Sequence, residues 1–284
     1  MSNTNNLNRI YTRNMLRGFI EGSNSTVFSS VVNQYIRNAK NKKNTELLSE
    51  IYNVLRKQYR NEYYYKNTLL NKLLLGVHSV NTTTALTEVA IAKSKADFVL
   101  INGKAVVYEI KTELDNLDRL CSQIDDYYKV FDYVVVVTYE ENVVQLKKLL
   151  EMINKPVGIS VIRKNDRLSI IQKPQKYDDN LNKNAMFKIL RKGEYENILL
   201  WKFGYLPRVT QFRYYSECKD LFGQIEMEEL YPLFLKSLKT RVRVEKKSFE
   251  KIPYELRFLA YFSNMTSDDY CKLDKFLECQ FGGL

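Results

Sequence analysis

Two short apolar segments on either side of an Asn-Gly dipeptide constrain the fold of this chain more than any other sequence feature. Residues 96–101 read Ala-Asp-Phe-Val-Leu-Ile, and residues 105–112 read Ala-Val-Val-Tyr-Glu-Ile-Lys-Thr. Asn102-Gly103 lies between them, and an Asn-Gly pair between two β-rich runs is a strong hairpin signal. The sequence therefore predicts an antiparallel pair of strands here.

The flanking segments extend this hairpin to an α/β fold. Residues 133–138 are apolar throughout, as expected of a central strand that is covered on both faces. The hydrophobic periodicity predicts the order α-β-β-β-α-β-α-β, which is a sheet flanked by helices. The predicted helices are 62–75, 116–131 and 143–154, and the predicted strands are 86–92, 96–101, 105–112, 133–138 and 157–163.

Three regions follow from the same patterns. Residues 1–60 are predicted to be a helical N-terminal region, and residues 61–172 form the α/β core. Residues 173–284 begin with a polar linker and continue as a helical C-terminal region.

Charge gives the first indication of a partner. The chain has 44 Lys and Arg against 33 Asp and Glu, a net charge of +11, and a pI of about 9.2. Such a field attracts polyanions, so the expected partner is nucleic acid. A basic protein without such a partner is the alternative. With no apolar run of about 20 residues and no signal peptide, we expect a cytoplasmic protein that does not engage a membrane.

Several kinds of chemistry are disfavoured by what the sequence lacks. Its four cysteines are scattered and His78 is the single histidine, so a zinc site is not expected. It also contains no phosphate-binding loop and no dinucleotide-binding fingerprint. Any catalysis would therefore depend on carboxylates and lysine.

Those residue types occur inside the predicted hairpin, as Asp97, Glu109 and Lys111. Charged groups in apolar strands cost several kcal/mol unless they are paired or bind a metal. Glu109 and Lys111 are two residues apart and share one face of a strand. A two-residue turn would place Asp97 on the other face. We therefore predict a three-residue loop or a bulge, which sets Asp97 opposite Val107 or Glu109.

Two readings of this group are open. Asp97, Glu109 and the Ile110 carbonyl offer oxygen ligands that suit Mg²⁺ or Mn²⁺. A bound cation would polarise a phosphodiester and acidify a water that Lys111 helps to position. The other reading is a buried ion pair between Lys111 and one of the two acids.

The pattern Asp-x(11)-Glu-x-Lys resembles that of the PD-(D/E)xK phosphodiesterase superfamily, over about residues 60–165. The resemblance implies a restriction-endonuclease-like αβββαβ core and a Mg²⁺-dependent nuclease, a hydrolase that cuts DNA as an endonuclease. It also implies a further acid, for which Glu62 on the preceding helix and Glu88 on the first strand are rivals. Gln123 and Tyr127 resemble the Gln-x-x-x-Tyr of one branch of the superfamily, and they share a helix face.

The stretches 96–103 and 108–120 resemble, more closely, the bacterial sce7726 family, which is placed in the same superfamily. This resemblance implies added roles for Glu113, Asp115 and Arg119. Asp115 also suits a helix N-cap, and Arg119 suits a phosphate contact.

Two other functions are alternatives to catalysis. One is a non-catalytic nucleic-acid-binding module, and the other is a protein-interaction component of a phage-defence or mobile-element system. The helical regions could serve a homodimer or a protein partner. Tyr63, Tyr64 and Tyr65 run together, and aromatic rings either stack on bases or pack in a core.

Overall fold

The computed structural model of the chain describes residues 4–23, 26–76, 82–242 and 244–282; His78 lies outside these ranges. The chain divides into two compact units. The first unit comprises Met1–Asn81, Thr112–Leu114 and Val242–Leu284, and the second comprises Thr82–Lys111 and Asp115–Arg241. The predicted boundaries at residues 60 and 172 stay predictions.

Helices make up the regular structure of the first unit. Numbered along the whole chain, the α-helices are α1 Thr4–Ile10, α2 Arg13–Glu21, α3 Thr26–Tyr35, α4 Asn44–Gln58, α5 Glu62–Leu69, α6 Leu120–Tyr127, α7 Val143–Ile153, α8 Lys183–Ile189, α9 Lys192–Phe203, α10 Gln211–Gly223, α11 Met227–Lys239, α12 Lys246–Glu250, α13 Arg257–Phe262 and α14 Ser267–Glu278. Helices α1–α5 and α12–α14 belong to the first unit. A π-helical turn over Leu70–Leu75 follows α5, so the helix expected over 62–75 changes its winding near its middle.

Aromatic side chains fill much of the core of the first unit. Tyr64 and Tyr65 are fully buried, and the ring of Tyr63 stacks on that of Tyr11 with centroids 4.9 Å apart. The Tyr63 hydroxyl donates to the Glu255 carbonyl at 2.5 Å. These three tyrosines therefore take the packing role and not the base-stacking role.

A six-stranded mixed sheet organises the second unit. Its strands are β1 Thr84–Ile91, β2 Ser94–Asn102, β3 Lys104–Ile110, β4 Tyr133–Thr138, β5 Gly158–Ile162 and β6 Leu168–Gln172. They lie in the order of the chain, with β3, β4 and β5 parallel and the other neighbours antiparallel. All of β5 and nearly all of β4 are buried, as an apolar central strand requires. The predicted mixed α/β architecture is confirmed.

Two elements of the sheet region differ from the prediction. The helix expected over 116–131 spans only Leu120–Tyr127, because Asn116 accepts a hydrogen bond from the Asp118 N–H and holds a turn in place of the first helical residues. Strand β6 was not predicted. It pairs on one side only and is largely exposed, so it lacks the apolar signal of a buried strand.

Among the described residues, no helix has the length and apolar character needed to cross a membrane.

Candidate functional site

The β2–β3 hairpin sets the geometry of the candidate site. It turns through Asn102, Gly103 and Lys104, with Ile101 and Ala105 paired at its base. Gly103 has φ 72°, a left-handed conformation that glycine adopts without steric cost. The three-residue loop predicted from strand parity is therefore confirmed.

This register brings the charged residues of the hairpin onto one face. Phe98 pairs with Tyr108, so the next position along sets Asp97 opposite Glu109. One Asp97 carboxylate oxygen, Oδ2, accepts the Ile110 N–H at 2.8 Å. The Asp97 side chain is partly exposed.

Glu109 lies in a buried hydrogen-bonded network, where its side chain is only 2% exposed. Its Oε1 accepts from the Gln123 amide at 2.7 Å and lies 2.9 Å from the Lys111 ammonium. Its Oε2 accepts from the Tyr127 hydroxyl at 2.5 Å, and Lys111 also donates to the Gln123 amide oxygen at 2.9 Å. Buried charges require this kind of compensation, and here a cation and two neutral donors provide it.

Helix α6 supplies the two neutral donors. Gln123 and Tyr127 are four residues apart and reach Glu109 from the same face of the helix. Burial raises the pKa of the Tyr127 hydroxyl well above its usual range, and the adjacent Glu109 carboxylate raises it further. Tyr127 therefore stays protonated and acts as a donor.

Asp126, on the same helix, fastens α6 to the turn between β1 and β2. Its carboxylate accepts from the Lys93 N–H at 3.2 Å, the Ser94 hydroxyl at 2.7 Å and the Lys129 ammonium at 2.7 Å. Burial acts to raise the pKa of Asp126, but these hydrogen bonds outweigh it and hold the pKa below its usual value. Sequence reasoning missed this residue, since an acid on a helix carries no signal of the turn that it binds.

Glu88 is the outer acid of the site. Its neighbours Thr87 and Val89 pair with Phe98 and Ala96, so Glu88 lies opposite Asp97. A carboxylate oxygen of Glu88 lies within 4.8 Å of one of Asp97. Glu88 also has φ 56°, a left-handed conformation in the middle of a strand that costs about 1–2 kcal/mol for a residue other than glycine. Its exposed side chain pairs with Lys95 at 2.8 Å.

The remaining residues singled out from the sequence are Glu62, Glu113, Asp115 and Arg119. Glu62 is the first residue of α5 in the first unit, where its exposed side chain pairs with Lys66 at 2.6 Å. Glu113 lies in the same unit and accepts from the Tyr65 hydroxyl at 3.1 Å. Asp115 and Arg119 are exposed in the segment before α6.

The second unit thus contains a row of three acids, Glu88, Asp97 and Glu109, on three adjacent strands, with Lys111 beside the buried end of the row. Carboxylate oxygens are the ligands that Mg²⁺ and Mn²⁺ prefer. Glu88 and Asp97 are the pair that fits a cation, because both reach solvent and their oxygens are close. Both Glu109 oxygens already accept hydrogen bonds, and a role for the Ile110 carbonyl stays a prediction.

Comparison with known proteins assigns this mixed α/β chain to a phage family. The sequence model described as "Bacteriophage P4 protein cII" matches residues 55–257, and the chain belongs to that family. It is 26% identical over 165 residues to the protein cII of Enterobacteria phage P4, a match that covers 57% of this chain. The chain spans about half the length of that curated relative, since the match covers 50% of it. No solved structure matches the chain significantly.

This finding corrects the resemblance drawn from the sequence. The assignment to the PD-(D/E)xK superfamily and to the sce7726 family is wrong, and with it the classification as a nuclease, endonuclease or hydrolase of that superfamily loses its support. The physical reason lies in the motif itself. A hairpin that buries the Glu109–Lys111 ion pair needs the same residue types at the same spacing as a hairpin that binds a metal.

Proposed function

We propose that this chain is a nucleic-acid-binding module of a phage or another mobile genetic element, and that Glu88 and Asp97 of its acidic row bind a divalent cation beside the nucleic-acid backbone. The observation that carries the proposal is the alignment of Glu88 and Asp97 on neighbouring strands, with oxygens within 4.8 Å. The net charge of +11 supports a polyanionic partner such as a nucleic acid. The phage relative supports the mobile-element context.

The two acids suit the way in which Mg²⁺ binds in proteins. Mg²⁺ gives up its waters reluctantly, so it usually takes one or two carboxylates and completes its shell with water and phosphate oxygens. Glu88 and Asp97 offer two carboxylates at the surface, which leaves the remaining positions open to a phosphate. The cation would join the two carboxylates to a phosphate group, which they otherwise repel.

The other residues of the site orient this pair. The Ile110 N–H fixes the Asp97 carboxylate, and the network around Glu109 holds β3 against α6. Asp126 then fixes α6 to the turn that joins β1 and β2, the strands that carry Glu88 and Asp97. Gln123, Tyr127 and Asp126 are therefore positioning residues in this proposal.

Binding of Mn²⁺ to the full chain, followed by electron paramagnetic resonance, tests the cation site. We expect Asp97→Asn to weaken Mn²⁺ binding at least tenfold, whereas Asp125→Asn, an exposed acid of the same unit, leaves it unchanged. Affinity for a DNA duplex at fixed ionic strength should rise with Mg²⁺ for the wild type but not for Asp97→Asn. Equal Mn²⁺ affinity in wild type and Asp97→Asn would refute the site.

Cleavage of the bound phosphodiester is a second candidate function. The specific observation in its favour is Lys111, whose ammonium lies 2.9 Å from Glu109 at the end of the acidic row. A bound cation would supply Lewis-acid activation of the phosphodiester, and the Lys111 ammonium would stabilise developing charge. Supercoiled DNA incubated with Mg²⁺ or Mn²⁺ tests it, with Asp97→Ala and Lys111→Ala as the variants. If all three proteins nick DNA equally, or none does, the cleavage function is excluded.

A protein partner or a second copy of this chain at the helical regions, and a role in phage defence, stay predictions.

A further inference from the structure

The α9–α10 region of the second unit exposes an unusual concentration of large apolar side chains. Phe212 is 96% exposed, Trp201 62% and Tyr205 55%. Among the described residues, every aromatic that ranks as an exposed large hydrophobic side chain lies in this segment. We call the following set the aromatic surface: Leu200, Trp201, Tyr205, Val209, Phe212 and Tyr215.

The aromatic surface lies on elements with a fixed geometry. Helices α9 and α10 pack against each other, and Tyr195 of α9 and Tyr215 of α10 both contact the buried ring of Phe187. Gly204, at φ 77°, ends α9 in the left-handed conformation, and Pro207 restricts the short connection that follows. The exposed rings therefore stand on a supported scaffold, to which Tyr215 contributes through its contact with Phe187.

Charge along this segment has one sign. Residues 197–216 contain Lys202, Arg208 and Arg213 but no aspartate or glutamate. Lys202 and Arg213 each form an ion pair with a glutamate outside the segment, Glu229 and Glu217, whereas Arg208 has no ion-pair partner among the described residues. Exposed aromatic rings interspersed with cations suit a partner that has both flat apolar faces and negative charge.

From this surface we infer a second nucleic-acid site, one that binds single-stranded nucleic acid by stacking unpaired bases on Trp201, Tyr205 and Phe212. Bases in a duplex are stacked on each other, and their faces are not accessible to a side chain, whereas an unpaired base stacks on an aromatic ring whatever its sequence. Arg208 and its neighbouring cations would contact the phosphates. A purely apolar protein partner would offer Arg208 no oppositely charged group.

This inference extends the proposed function to a different surface and a different partner class. It does not depend on a divalent cation, since none of the aromatic surface belongs to the acidic row. The two proposals can therefore fail separately.

The chain carries its own probe for the test, because Trp201 is its only tryptophan. Titration of the full chain with unlabelled oligo(dT) in EDTA should quench the Trp201 fluorescence to saturation, as base stacking requires. The matching duplex of equal length should quench it weakly or not at all. The Trp201 emission of the chain without DNA should not change with protein concentration. If it does, and if Phe212→Ala abolishes the change, a second copy of the chain covers the aromatic surface. That result would overturn the inference.

Substitutions then test the individual rings. Stacking on one aromatic side chain typically accounts for about 1–3 kcal/mol, so Phe212→Ala and Trp201→Ala should each weaken binding of labelled oligo(dT) roughly 5- to 150-fold. Met152→Ala is the matched control, since Met152 is an 82% exposed apolar residue of the same unit that lies outside the surface. Phe212 is almost fully exposed, so its loss leaves the fold intact.

The outcomes separate this inference from the metal proposal. Unchanged oligo(dT) affinity in both Phe212→Ala and Trp201→Ala would overturn the stacking site. Loss of oligo(dT) binding in these variants with unchanged Mn²⁺ binding supports it, and Asp97→Asn should retain oligo(dT) binding in EDTA. Arg208→Gln should reduce the dependence of affinity on salt concentration by about one contacted phosphate.

Discussion

The buried contact between Glu109 and Lys111 allows a quantitative test of the site. Lys111→Met removes the ammonium and leaves a carboxylate that is 2% exposed with hydrogen bonds from Gln123 and Tyr127 only. Removing one partner of a buried ion pair typically costs about 3–5 kcal/mol. The two remaining donors offset part of that cost, so we expect the free energy of unfolding to fall by about 3 kcal/mol.

The double variant shows whether this cost arises from the pair or from lost packing. Glu109→Gln combined with Lys111→Met replaces both charges with groups of similar volume, and such replacements are often close to neutral. We expect Glu109→Gln alone to lose about 1 kcal/mol, because the Lys111 ammonium keeps its hydrogen bond to Gln123. We expect the double variant to lose about 1 kcal/mol as well, which gives a coupling energy of about 3 kcal/mol between the two positions, since residues in direct contact are not additive.

Urea unfolding followed by circular dichroism at pH 7 measures all three variants. The matched control is Lys164→Met, which removes a lysine that is 83% exposed and lies 3.6 Å from Glu141. Exposed pairs of this kind contribute little, so the control should unfold like the wild type. If Lys111→Met behaves like the control, or if the single and double variants are additive, then Glu109 is not the buried, paired carboxylate described above.

Three further perturbations have defined outcomes. Burial raises the pKa of Asp132, although the Tyr231 hydroxyl donates a hydrogen bond to its carboxylate and opposes the rise. The charged carboxylate therefore destabilises the folded state once the pH exceeds the pKa of the unfolded chain, which is about 3.9. Asp132→Asn should therefore gain unfolding free energy relative to wild type as the pH rises from 4 to 7, and urea unfolding at both values checks this. Asp126 has the opposite effect on stability, because its pKa is lowered in the folded state. Its carboxylate stabilises the fold above the pKa of the unfolded chain, and this contribution is lost as the pH falls. Asp126→Ala should therefore lose about 1–3 kcal/mol of unfolding free energy at pH 7 and less at pH 3 by the same measurement. Glu88→Gly should raise the melting temperature, because it relieves a left-handed backbone, yet it should weaken Mn²⁺ binding; Glu88→Ala, which keeps the strain, should weaken binding without the gain in stability.

The sequence was sufficient for the hairpin because two independent constraints agreed there. Apolar alternation defined the strands, and the cost of burying charge required Asp97 and Glu109 to share a face, which selected the three-residue loop over the two-residue turn. Strand β6 and the true start of α6 escaped prediction because an exposed edge strand and a local Asn116 turn carry little hydrophobic signal.

Other parts of the site depend on contacts that no local pattern encodes. The left-handed conformation of Glu88 arises inside a run of residues that reads as an ordinary strand, and nothing in Thr-Glu-Val-Ala indicates it. Asp126 reads as a polar helix residue until the β1–β2 turn is placed against it. Backbone strain and long-range caps are properties of the assembled fold, so no local stretch of sequence encodes them.

The wrong family resemblance has a physical origin as well. A bound metal ion and a lysine ammonium group can each neutralise a buried carboxylate. A hairpin with two acids and a lysine therefore does not indicate whether the metal ion or the lysine neutralises the acids. The two ends of the acidic row differ in the structure. The negative charge of Glu109 is stabilised by Lys111, Gln123 and Tyr127. Asp97 and Glu88 reach solvent, and their oxygens lie close together. Charge repulsion between these outer acids is what a divalent cation would relieve. The proposed cation site therefore depends on the exposed end of the row, where the sequence motif is least specific, and not on the Glu-Ile-Lys triplet that suggested it.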